Sequence, residues 1–175
     1  MTPKHLLSAL ALAAAMGLAG CSDQFSGGGA GGFSDADMIA DAEPITALGD
    51  PNDPTSVAYL QNSIGDRVYF SVDQSVLTDE ARLILNGQAD WLAGNDFNVI
   101  IEGHADEQGT REYNLALGAR RASAVMDHLI AQGVAPTRLR TVSYGKERPA
   151  EACSEERCYT LNRRAVTTLW RAPGA

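Results

Sequence analysis

The residues best suited to chemistry lie in one stretch, Glu102 to Ala122, which reads EGHADEQGTREYNLALGARRA. An apolar run, Phe97 to Ile101, leads into a polar turn with Asp106, Glu107 and Gly109, and a helical pattern with Asn114, Arg120 and Arg121 follows. Asn114 and Arg121 are seven apart and return to nearly the same azimuth of a 3.6-residue helix, so they are expected to look out together from one face. Asp106 precedes that helix, whose free first-turn N–H groups attract anions. An acid at a helix mouth with a cation two turns in makes a two-signed pocket, and such a pocket suits a zwitterion. The bland reading is a capped helix start followed by a solvated double Arg.

Periodicity defines the elements that must position these groups. Val99, Ile100 and Ile101 are β-branched and end at Gly103, which predicts a buried strand from Phe97 to Glu102. Helical character begins near Thr110 or Arg111 and runs to Gln132, with Gly133 and Pro136 as stop signals. Upstream, Val68, Phe70 and Val72 alternate in a strand, Arg67 to Val72. Thr78 can cap a helix with Asp79 and Glu80 in its first turn and Leu77, Ala81, Ile84, Gln88 and Trp91 at helical spacing, up to Gly94. Strands are predicted from Leu139 to Tyr144 and from Arg163 to Trp170. The order βαβαββ implies an α+β fold of two layers, with helices on one face of a mixed sheet.

The first twenty residues have a basic start, an apolar stretch from Leu6 to Leu18 too short to span a bilayer, and small residues before Cys21, as in a secretory signal. Leu18-Ala19-Gly20-Cys21 resembles a bacterial lipobox, which implies acylation of Cys21 and a membrane anchor. Ser22, where such lipoproteins carry Asp when held at the inner membrane, favours the outer membrane. Residues 21–57 hold a Gly tract, seven acids and no Lys or Arg, and read as a disordered tether. Residues 58–175 are then a single domain.

The chain has 14 basic and 22 acidic residues, net −8. Setting aside the tether's seven acids and Lys4 leaves the domain near neutral, without a basic stripe, so nucleic acid is not expected as a partner. Cys153 and Cys158, with four residues between them and a secretion signal upstream, are expected to form a disulfide. The three histidines show no ligand spacing with them, so neither a metal nor a cofactor is expected.

Val68-Tyr69-Phe70, the Glu102–Glu107 stretch, Gly109-Thr110, Glu112-Tyr113-Asn114, Leu117-Gly118, Arg120-Arg121-Ala122, Val142–Lys146 and Asn162–Val166 together resemble the peptidoglycan-associated lipoproteins, which carry an OmpA-like domain. The resemblance implies non-covalent binding of the diaminopimelate of peptidoglycan stems. By it, Asp106 would meet the ligand ammonium and Arg121 its carboxylate. Gly109, Thr110, Tyr113, Asn114 and Leu117 would form the groove wall, with Asp73, Glu107 and Arg164 as further contacts. It also implies partnership with a TolB-type propeller and other Tol-Pal components. The rival classes are a cell-wall hydrolase using Glu102, Asp106 or Glu107, which would need two suitably spaced carboxyls, one with a raised pKa, and a purely protein-binding envelope module.

Overall fold

The computed structural model describes residues 43–45 and 48–171. Cys21, the signal and most of the expected tether lie outside the described residues. The architecture is the expected one: helices cover one face of a mixed five-stranded sheet.

The sheet is built from β1 (Glu43–Pro44), β2 (Arg67–Tyr69), β3 (Asn98–His104), β4 (Leu139–Gly145) and β5 (Arg164–Arg171). Its order is β1-β5-β3-β4, with β2 also on β5. β3 and β4 are parallel, and β5 runs antiparallel to β3, β2 and β1. Consequently β2, β3 and β4 all finish at the end of the sheet where β5 starts. The loops leaving those three strands meet there.

Two long helices, α2 (Asp79–Ala93) and α3 (Arg111–Ala131), follow a short α1 (Val57–Tyr59), which continues as a π-helical turn, Leu60–Gly65. Thr78 and Thr110 start the long helices by accepting from the N–H of Ala81 and Tyr113, which satisfies a donor that would otherwise have no partner. The core between helices and sheet holds Leu85, Leu92, Val99, Ile101, Val125, Leu129, Leu139 and Leu169. One polar bridge crosses it: Gln88 donates to the Gly65 carbonyl and accepts from Thr167 Oγ1 at 2.7 Å each, so its burial costs no unpaired group.

Helix α3 lies directly on β3. A Cβ built on Gly103 would sit 1.9 Å from the Gly118 carbonyl oxygen, and one on Gly118 would sit 2.3 Å from Ser143 Oγ. Glycine on both sides therefore lets two backbones touch, and this contact fixes the height of α3 over the strand ends.

Two expectations need correction. The ordered fold begins before Ala58: β1 pairs with Trp170 and Arg171 at the edge of β5, Trp91 Nε1 donates to the Pro54 carbonyl at 2.8 Å, and Val57 and Ala58 are buried. Its acids and prolines read as tether, but backbone pairing and one indole bond need few apolar side chains. Between β4 and β5, moreover, the expected loop contains a further helix, α4 (Glu156–Asn162). Cys153 and Cys158 are joined by a disulfide that ties the start of α4 to the preceding loop.

Candidate functional site

At the meeting point of these loops lies a cleft of about 260 Å³. Its floor and walls come from the turn after β2 (Val72, Asp73), the turn after β3 (Asp106, Gln108, Gly109) and the first turns of α3 (Tyr113, Asn114, Leu117). Both charged side chains in this lining are carboxylates.

The Asp106 turn is held from every side. Asp106 Oδ1 accepts from Gln108 N at 3.1 Å, and the buried Asn114 donates to the Gln108 carbonyl at 2.7 Å. Lys146 Nζ donates to the carbonyls of Glu107 and Gly109 from behind. Gly109 has φ 89°, a left-handed geometry that glycine adopts without strain. Asp73 has φ 57°, uncommon for a residue with a side chain though tolerated by Asp. Its carboxylate accepts a hydrogen bond from Tyr113 Oη across the mouth of the cleft. That bond raises the Tyr113 hydroxyl pKa above its ordinary value.

Arg121 is not where its azimuth implied. It does share a face with Asn114, but that face points inward, and Arg121 is 0% exposed. Its guanidinium donates to the carbonyls of Gln74 (2.9 Å), His104 (2.7 Å) and Ser71 (3.2 Å), under the Phe70 ring. These bonds pin both flanking turns, those of Asp73 and Asp106, to one side chain. Burial pulls its pKa down to about 10, opposed by the nearby Asp106 carboxylate. Three of its five N–H groups are thereby spent, and the other two remain behind the cleft floor.

The cation that does touch Asp106 is Arg163, which sequence reasoning missed. Its Nη1 lies 3.2 Å from Asp106 Oδ2, both groups are buried, its Nη2 reaches Glu156 at 2.5 Å, and its Nε donates to the Phe70 carbonyl. Burial lowers the Arg163 pKa, but hydrogen bonds to Glu156 and Asp106 outweigh it and the net shift is upward. Arg164, the residue singled out from the sequence, begins β5 on the other side of the sheet and donates to the Arg148 carbonyl at 3.3 Å. Arg163 lies in the turn between α4 and β5 and reaches the cleft from there, whereas Arg164 is already committed to the strand.

Of the other expected groove residues, Asp73, Gly109, Tyr113, Asn114 and Leu117 line the cleft, whereas Thr110 is spent as the helix cap. Glu107 faces away, accepting from Tyr159 Oη at 2.8 Å. Hydrogen bonds from Ser154 and Tyr159 hold its carboxyl below the usual range. Val72 and Gln108 complete the lining without having been anticipated.

A family model described as the OmpA family matches residues 69–163. The peptidoglycan-associated lipoprotein of Mesorhizobium japonicum is 44% identical over 161 residues, 91% of this chain and 89% of that protein. The chain belongs to the OmpA family, among the peptidoglycan-associated lipoproteins. The protein of that name from Pseudomonas aeruginosa is 41% identical over 161 residues, 92% of this chain and 93% of the other. The crystal structure of the peptidoglycan-associated lipoprotein from Burkholderia pseudomallei matches with a TM-score of 0.61 at 36% identity, over 71% of this chain and 98% of that one. The C-terminal domain of Helicobacter pylori MotB, at 22% identity and a TM-score of 0.58, covering 62% of this chain and 86% of that one, shares the fold. The stretch matching the OmpA family contains every residue of the cleft lining and Arg163, and it ends before Arg164.

Proposed function

We propose that this lipoprotein binds peptidoglycan non-covalently through the stem-peptide diaminopimelate and, anchored by acyl chains on Cys21, ties the outer membrane to the cell wall. The observation that carries the reading is the cleft with Asp73 and Asp106 as its charged lining, in a chain whose relatives are named for peptidoglycan association. The ligand ammonium meets Asp106 beside Asp73. The ligand carboxylate is drawn toward Arg121, which acts from behind the floor as a fixed positive charge and keeps two N–H groups for it if the Asp73 turn yields. In this reading the protein is a binding module of the Tol-Pal system, exchanges its surface between wall and a TolB-type partner, and supports envelope integrity and division. Fixing one end in the membrane raises the effective concentration of the domain at the wall.

Electrostatics favour binding over hydrolysis. A glycoside-cleaving general acid needs a carboxyl whose pKa is raised. Glu107 is instead lowered by its hydrogen bonds, and burial of Glu102 is outweighed by His104 and Thr168, so its net shift is also downward.

The test is co-sedimentation of the full chain in detergent with purified sacculi, comparing wild type with Asp106→Asn at matched folding. Removing the carboxylate that pairs with a desolvated ammonium is expected to weaken binding by about 30-fold to several thousand-fold. Equal sedimentation of the variant would overturn the site.

A further inference from the structure

The Asp106 carboxylate faces two demands that conflict. A ligand ammonium needs it negative and available, yet Arg163 already lies 3.2 Å away within the protein. An arginine given wholly to Asp106 would neutralise the charge on which the proposed reading rests. The structure shows what prevents this: Arg163 is shared, and its shorter contact is with Glu156, at 2.5 Å, with Thr160 Oγ1 at 3.2 Å on the same nitrogen. We infer that Glu156 is a positioning residue for ligand binding, which holds the Arg163 guanidinium back so that Asp106 keeps its charge for a primary ammonium.

The surroundings fit this role. Glu156 is the first residue of α4, and its side chain is 67% exposed, so it contributes little packing of its own. Two residues on, Cys158 is bonded to Cys153, which limits how far the start of α4 can swing from Arg163. Arg163 Nε is held by the Phe70 carbonyl, and its two terminal nitrogens divide between the acids, Nη1 on Asp106 and Nη2 on Glu156. Glu156 itself is held below the usual carboxylate range by its bond to Arg163 and so stays ionised at neutral pH. The inference rests on the ammonium-binding reading of the cleft and names the residue outside the cleft that sets its strength.

The experiment is affinity of the full chain for soluble stem peptides with a free amine, and for the same peptides N-acetylated, in wild type, Glu156→Gln and Glu155→Gln. Glu155 is the matched control: it is the same residue type, adjacent and exposed, and it pairs with Arg157 instead. Glu156→Gln is expected to lose roughly threefold to tenfold in affinity for the free amine, with Glu155→Gln unchanged. In an Asp106→Asn background Glu156→Gln is expected to have no further effect, a coupling that general loosening of the fold would not produce. Equal losses in both glutamine variants, or a Glu156→Gln loss that persists without Asp106, would overturn the inference. If wild type binds in an Asp106-dependent way and Glu156→Gln matches it, this inference alone falls. If wild type prefers the acetylated peptide or ignores Asp106, the reading of the cleft falls with it.

Discussion

Replacing Arg121 by methionine is expected to lower the unfolding free energy by about 3–5 kcal/mol, measured by urea denaturation at constant m. The size follows from what the side chain holds. Arg121 serves the carbonyls of Ser71, Gln74 and His104 at 2.7–3.2 Å within a site closed to water. Methionine fills similar volume but donates nothing; Ser71 O keeps the N–H of Gln74, and each carbonyl left without a partner costs about 1–3 kcal/mol. The turns carrying Asp73 and Asp106 lose their common anchor, so wall binding is expected to vanish with the stability. Loss of binding alone therefore does not establish a ligand contact for Arg121. Asp106→Asn is the cleaner probe, since Gln108 N keeps an acceptor and Arg163 keeps Glu156.

The second large effect is steric. Gly103→Ala is expected to destabilise by at least about 3 kcal/mol, at or beyond the upper end for overpacking, because its new carbon falls 1.9 Å from a backbone oxygen of α3, which has no rotamer to escape into. The helix must lift, and Asn114 and Tyr113 lift with it. Gly133→Ala supplies the contrast: nothing lies within 4 Å of its Cβ position, and only the φ of 98° opposes the change, so about 1 kcal/mol is expected. Thermal melts of the two variants separate the clash from backbone strain. Similar shifts in both would mean that α3 does not rest on β3 as closely as described.

Layering, the mixed sheet and both long helices were legible because period-2 and period-3.6 patterns survive in short segments, and Thr78 and Thr110 mark their own helix starts. The facing of α3 is opposite to the one its double Arg suggests. Arg121 sits four after Leu117 and four before Val125, on the buried stripe with Gly118 and Ala122, so the apolar period already pointed inward. A charged side chain on an apolar stripe faces where the stripe faces, provided that carbonyls meet it there. That Arg163 and not Arg164 meets Asp106 follows from β5 starting only at Arg164, which leaves Arg163 in the turn out of α4, a boundary that no period marks. Helix α4 escaped notice since its seven residues are too few to show a period, and β1 since two residues carry no pattern at all.

That two-residue strand also governs how the molecule would carry load. β1 meets β5 at Arg171 and Trp170, the end of the sheet where β3 begins, whereas the Asp106 cleft lies beyond the end of β3, seven residues and roughly 23 Å away. Under the proposed tethering, tension from membrane to wall enters at one end of the sheet and leaves at the other, lengthwise along the strands. Such a pull falls first on the two residue pairs that hold β1 to β5, so β1 would yield before the six-pair β3–β5 ladder that carries the cleft is loaded.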